Sequence, residues 1–420
     1  MKRCNQKRLY IILIVSLVGF VLCVNIFLTG LDDCEKIDPV AIVNERISSL
    51  QQKKAPRLLQ VYGNDEGVIF LKTHKTGSST LTSIFWRNVC ASGIRNCFLP
   101  PVTSPGKTWD FSKESDRNLL INGGGSTINK SVGMGGGQFQ SFDAWIYHAH
   151  YSDQLFTLVP TTKRVISIVR KPSKRFCSAW SWYEHSSKLK MSLSTFIEEA
   201  SREAEEGLLF NKIWNHLIGG GSLAKKFKYR TGLDATSQEL TGSSVNQKMS
   251  SEFTSLIDRV VDGQTFLLVT DRFDESLLVL SKIMGWSKEQ LLYSKLKTAT
   301  KLEIVSEMEL KKLDELQPYD LALWNLANFR LDQYIQQEFN DEKTFRQQLK
   351  DFQELNAEMD VACHEQSLSP LSSFQSKSAS AKQLNYTCEC YSRDNNLVVK
   401  DAWEVLSGTK QKLDCDLAVN

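Results

Sequence analysis

A strong charge of one sign is missing from this chain. Its 51 lysines and arginines face 48 aspartates and glutamates, a net +3 at pH 7 across 420 residues. That is too little to imply nucleic-acid binding, so no nucleic-acid partner is expected and any anion site must be local. No internal repeat is visible, which leaves out stacked-repeat architectures. Cys388 and Cys390 have no second Cys/His pair at finger-like spacing, so no metal is expected. The glycines at 123–125 and 135–137 lack both the Gly-x-Gly-x-x-Gly spacing and a preceding strand, which excludes a dinucleotide fingerprint. What remains, 41% hydrophobic and 24% charged, is the composition of a globular protein.

The first 30 residues carry the topology. Lys2, Arg3, Lys7 and Arg8 precede an uncharged run, 9–28. At about 20 residues it is long enough to span roughly 30 Å of hydrocarbon as a helix. Asp32, Asp33 and Glu35 follow. Positive charge before the span and acid after it predict a cytoplasmic N-terminus and a lumenal body. A cleaved signal peptide would have an apolar core of about 7–15 residues and a small-residue cleavage site, which Thr29-Gly30 does not offer. The expected organisation is a cytoplasmic tail at 1–8, a signal-anchor at 9–29, a stem at 30–62 and a single lumenal domain at 63–420. A lumenal body suits Cys34, Cys90, Cys97, Cys177, Cys363, Cys388, Cys390 and Cys415, since disulfides persist there. Cys90–Cys97 would close a short loop, and Cys363 could pair with Cys388 or Cys390. The sequons at Asn129 and Asn385 fit the same pathway.

The fold class follows from alternation. Apolar runs at 68–71, 144–147, 165–169 and 266–269 read as strands. Helical patterns follow each: from Ser78 with Leu81, Ile84 and Phe85 on one face, over 152–158, from Pro172, and over 274–284. Strands alternating with helices predict an α/β fold with a central parallel sheet covered on both faces. Beyond 287 the pattern is mostly helical, clearest at 302–340. Residues 100–141 read as a long loop bordering an acceptor site.

Two stretches carry chemistry. At residues 71–81 a strand ends in Lys72-Thr73-His74-Lys75-Thr76-Gly77-Ser78-Ser79-Thr80 and opens a helix. Converging N–H groups, the positive helix end and Lys75 make an anion cradle. The order differs from the Gly-x-x-x-x-Gly-Lys of a Walker loop, which disfavours a nucleotide kinase. Lys72 adds a second charge or solvates the strand end. The second stretch runs from Arg170, at the carboxyl end of a buried strand, to Ser178 on the next helix. An arginine fork and a hydroxyl there can clamp a second phosphate, at the place where open α/β sheets hold ligands. The alternative is an exposed arginine, with Trp180 and Tyr183 as core. Lys171, Lys174 and Arg175 form a basic mouth or a solvated helix face. Residues 225–230 read as an exposed basic turn, and Asp271 and Glu275 as helix-start residues.

These motifs resemble a known family. Lys75 with Thr76, Gly77, Ser78, Ser79 and Thr80 is similar to the loop by which sulfotransferases hold the 5′-phosphosulfate of phosphoadenosine phosphosulfate (PAPS). Arg170 and Ser178 match the pair used for the 3′-phosphate. With residues 168–172, 271–277 and 291–296, they make the chain resemble the galactose-3-O-sulfotransferases, which include galactosylceramide sulfotransferase. The resemblance covers about 65–340. It implies a P-loop-like sulfotransferase fold and transfer of sulfate from PAPS, without a metal, to the 3-hydroxyl of a β-galactosyl glycolipid or glycan. It also implies a single-pass protein of the Golgi membrane.

A base for the acceptor hydroxyl is sought in His148-Ala149-His150, after an apolar strand, since a neutral imidazole suits a mildly acidic lumen. Relatives carry a His followed by Met-Arg-Phe. His148 aligns with that His, while Ala149, His150 and Tyr151 depart from the pattern, so His148 and His150 are both candidates. Two other readings stay open, a sulfotransferase for a glycosaminoglycan uronic acid and a non-catalytic glycan binder. Self-association as a homodimer is open as well.

Overall fold

The computed structural model of the chain describes residues 38–51, 66–90, 97–99, 108–111, 113–121, 126–127, 141–162, 164–203, 242–294, 303–365, 373–374 and 386–387. The chain divides into two units, Met1–Asp38 with Gln238–Ser251, and Pro39–Ser237 with Glu252–Asn420. The second unit holds the sheet and the site. The expected anchor at 9–29, the sequon asparagines Asn129 and Asn385, the basic turn at 225–230 and Cys388 and Cys390 lie outside the described residues. Among the described residues no helix is long and apolar enough to cross a membrane.

In chain order the elements begin with α1 (Pro39–Leu50), β1 (Val68–Leu71) and α2 (Ser78–Phe85), which runs on as a π-turn, Trp86–Cys90. Then come β2 (Phe98–Leu99), α3 (Glu114–Ile121), β3 (Ser126–Thr127), β4 (Ala144–Trp145) and α4 (Gln154–Leu158). The middle of the chain gives β5 (Val165–Val169), α5 (Pro172–Trp182), α6 (His185–Leu189), α7 (Leu193–Glu203), α8 (Gly242–Val261) and β6 (Thr265–Val269). After these follow α9 (Phe273–Met284), α10 (Glu307–Glu315), α11 (Pro318–Glu338), α12 (Glu342–Glu365), β7 (Ser373–Phe374) and β8 (Tyr386–Thr387). The expected α/β class holds, with a helical C-terminal region.

β1, β5 and β6 are buried along their whole length, as continuous apolar runs in a parallel sheet must be. The central sheet has the order β4-β1-β5-β6 and every pairing is parallel. β1 connects towards β4 on one side, and β5 connects towards β6 on the other. The crevice at the carboxyl ends of β1 and β5 is therefore the topological switch point, where open α/β sheets place ligands. β5 and β6 pair residue for residue from Val165↔Thr265 to Val169↔Val269, so Arg170 and Thr270 leave neighbouring strand tips together.

Three expectations need correction. Part of the expected stem, α1, is folded onto the body: it packs against α11, buries Val43 and pairs Arg46 with Asp258 at 3.1 Å. The expected loop at 100–141 contains structure. β2 and β3 pair antiparallel, α3 follows a sharp turn at Asp110, and Trp109 bridges Ala149 in parallel beyond the β4 edge. Aromatic side chains drive this edge, with Phe98 stacked on Trp145 at 4.1 Å and edge-on to Trp109, Phe142 and Tyr147. Third, the basic mouth is mostly neutralised. Lys171 pairs with Asp314, Lys174 with Asp271, and Arg175 is buried against Gln317 and Asp320. The disulfide expected between Cys90 and Cys97 is present.

Candidate active site

The loop between β1 and α2 is shaped by its own hydroxyls. Thr73 donates to the Ile168 carbonyl of β5 at 2.7 Å and lies 2.8 Å from the Thr76 hydroxyl. The Ser78 hydroxyl donates to the Thr73 carbonyl. Just past β6, Thr270 stands 2.6 Å from the Thr76 carbonyl and 2.9 Å from that of Val169, so one hydroxyl ties the β1 loop to the ends of β5 and β6. Lys75 (φ 61°) and Gly77 (φ 74°) both take the left-handed conformation. Two such residues in one short loop curl successive N–H groups inwards into a concave nest for anions. No side chain caps α2, whose N-cap is Gly77; the Thr80 N–H bonds the Gly77 carbonyl at 3.1 Å, and the N–H groups of Ser78 and Ser79 come before the first intrahelical acceptor. The loop thus directs backbone donors to its mouth and keeps the hydroxyls of Thr76 and Ser78 for its own bracing.

Arg170 meets this loop directly. Its guanidinium donates to the Lys75 carbonyl at 3.2 Å, so the two expected phosphate-binding residues flank one crevice. Burial lowers the Arg170 pKa, while the nearby Asp271 carboxylate raises it. Ser178 is buried on α5, next to Cys177, whose thiol is pushed up to about 11 by burial despite the Arg170 charge. Asp271 is not a cap for its own helix. It accepts from the Lys171 N–H at 2.8 Å and from the Trp324 indole at 3.1 Å, and pairs with Lys174 at 3.0 Å. Burial pushes this carboxyl up, but those donors prevail and hold it below the ordinary aspartate range. Asp271 therefore clamps the turn that carries Arg170. Glu275 pairs with Arg272.

The two histidine candidates separate. His148 is buried, and its Nδ1 lies 2.7 Å from the Lys72 carbonyl. A carbonyl can only accept, so Nδ1 carries the proton and the acceptor nitrogen of the neutral ring is Nε2. The ring stacks on His74 with centroids 4.2 Å apart, in the loop beside Lys75. His150 is tied instead to Trp109 through its backbone N–H at 2.8 Å. Lys72 is 3% exposed, so it does not solvate the strand end.

Sequence reasoning overlooked the end of α5. Trp180 is core, as read, but Tyr183 is 36% exposed and Trp182 43%. The Lys75 ammonium stands 4.0 Å from the centre of the Trp182 ring, and the Tyr183 phenol is 3.4 Å from His74 Nδ1. Trp182 falls four residues after Ser178, one helical turn along the same face, a spacing legible in the sequence. Among the described residues no group of three or more His, Cys, Asp or Glu side chains is placed to hold a metal ion.

A loop with two left-handed residues on one strand, an arginine from the next and a switch-point crevice are the features of an α/β fold. The galactose-3-O-sulfotransferase family model matches residues 4–378, and the chain belongs to that family. It is thus a carbohydrate sulfotransferase by family. No curated protein matches the chain.

Proposed function

We propose that the chain transfers the sulfuryl group of PAPS to the 3-hydroxyl of a β-galactosyl residue on a glycolipid or glycoprotein glycan. The proposed setting is the Golgi lumen, with residues 9–29 as the membrane anchor. The supporting observation is the Arg170 guanidinium on the Lys75 carbonyl, which gives a single crevice two separate phosphate-binding groups. The residues fit the donor: the left-handed pair at 75 and 77 shapes a cradle for one phosphate, and Arg170 with Ser178 offers a second.

When bound, the donor supplies an activated sulfuryl group whose leaving atom is a phosphate oxygen. Lys75 and the loop N–H groups hold that phosphate and stabilise the negative charge that grows on it. Thr73 and Thr270 keep the loop shaped before ligand arrives, so no reorganisation is needed during transfer. His148 serves as the base. Its Nδ1–H is fixed by Lys72, and Nε2 takes the proton from the acceptor hydroxyl as that oxygen attacks sulfur. Arg170 and Ser178 orient the adenosine end.

The test incubates the full, detergent-solubilised chain with sulfur-labelled PAPS and galactosylceramide, lactosylceramide, N-acetyllactosamine or a core O-glycan. Lys75→Ala is expected to lower the rate by about 10²–10³-fold. His148→Ala abolishes transfer, and Arg170→Ala mainly weakens donor binding. Full activity in Lys75→Ala would remove the mechanism. Labelling of a uronic-acid polymer and none of the galactosides would replace the acceptor.

A further inference from the structure

We infer that Trp182 is the stacking platform for the acceptor galactose, an inference that rests on the function proposed above. The loop around Lys75 faces the reacting end of the donor, so the sugar must come to rest beside Lys75. The Lys75 ammonium lies over one face of the Trp182 ring, 4.0 Å from its centre, and the ring is 43% exposed, which leaves the opposite face for the sugar. A β-galactose suits such a plane. Its axial 4-hydroxyl leaves the hydrogens on C3, C4 and C5 together on the opposite face, and these weakly positive C–H groups meet the negative face of an indole. The equatorial 3-hydroxyl then projects from the rim of the stacked ring. Glucose, with an equatorial 4-hydroxyl, breaks up the C–H patch.

The platform is held firmly. Glu303 accepts from the Trp180 indole at 3.0 Å, from the Leu193 N–H at 2.8 Å and from the Ser186 hydroxyl. One carboxylate thus joins α5, α6 and the start of α7 around position 182. Below it, Trp180, Leu193, Phe196, Leu313 and Leu316 form a local core. Tyr183, bonded to His74, fixes the end of α5 relative to the loop. A rigid aromatic plane costs little ordering entropy when a sugar docks.

The test uses the full chain, PAPS for turnover, 3′,5′-adenosine diphosphate as the donor-site probe and methyl β-galactoside as the acceptor probe. Trp182→Ala should raise the acceptor KM by about tenfold and leave the affinity for the donor probe within about twofold. Trp182→Phe should recover most of the loss. Saturation-transfer NMR should light the H-3, H-4 and H-5 protons of methyl β-galactoside in the wild-type chain and not in Trp182→Ala, and methyl β-glucoside should stay dark. The inference is overturned if Trp182→Ala weakens the donor probe and leaves the acceptor KM unmoved, which would put adenine on the indole. It also fails if neither quantity moves. Sugar contact at Trp182 in a wild-type chain that sulfates no galactoside would sink the enzymatic reading and keep the platform. Neither contact nor transfer would sink both.

Discussion

Position 75 holds a lysine in a backbone conformation that costs an L-residue roughly 1–2 kcal/mol. The nest needs that conformation at 75 and again at 77, and only the second position has a glycine. Gly77→Ala isolates the cost. A Cβ there meets Thr270 and Phe273 only at ordinary contact distance, 3.5 and 3.7 Å, so any penalty is conformational. Gly77→Ala should lower stability by about 1–2 kcal/mol and weaken the donor probe as well, read by urea unfolding and calorimetry on the same sample. A loss of stability with unchanged donor affinity would show that the nest is not the phosphate cradle. Asp271 is the other decisive residue. Asp271→Ala strands the Lys171 N–H and the Trp324 indole, so about 1–3 kcal/mol of stability should go. The sign with pH follows from the lowered carboxyl pKa. Its contribution is complete above the unfolded value of about 3.9 and fades as pH falls through the lower folded value. Between pH 5 and 8 the deficit of Asp271→Ala should be constant, and below about pH 4 it should narrow, as urea titrations at stepped pH would report.

At the level of elements, the sequence spoke clearly where an apolar run ended in a loop of special residues. β1, β5 and β6 announced themselves as uninterrupted runs, and Pro172 marked the first turn of α5. From these three strands and their tips, the neighbourhood of Lys75 and Arg170 was legible, because parallel strands put their carboxyl ends on one edge. Other parts were not, for physical reasons. The ladder of β2 with β3 and the bridge at Trp109 are stabilised by aromatic contacts between distant residues, and short strands leave no periodicity. Asp271 looked like a helix cap because its neighbours begin a helix, yet its partners come from the start of α5 and from α11. Glu303 gave no local signal at all, since its three donors are contributed by α5, α6 and the start of α7. The histidine pair was half legible. The sequence marked both imidazoles, but only the Lys72 carbonyl tells them apart by fixing the tautomer of His148.

For the molecule as a whole, a net charge of +3 is compatible with a strongly anionic donor because the cations are placed locally. Lys75 and Arg170 meet at the crevice, while Lys171, Lys174 and Arg175 are balanced by Asp314, Asp271 and Asp320. The position of α1 changes where the folded part begins. A shortened chain starting at residue 63 discards a helix that buries Val43 and Leu50 and whose Leu50 carbonyl accepts a hydrogen bond from the Gln333 side-chain amide. Such a chain should be poorly soluble or melt several degrees lower than one starting at 38, compared by yield and thermal unfolding. Equal melting would mean that α1 is dispensable.

That helix also shortens the leash. With the proposed anchor ending at 29, only residues 30–38 remain between bilayer and enzyme, and nine extended residues reach at most about 30 Å. On the proposed anchoring, that reach bounds how far Pro39, where α1 begins, can stand from the bilayer.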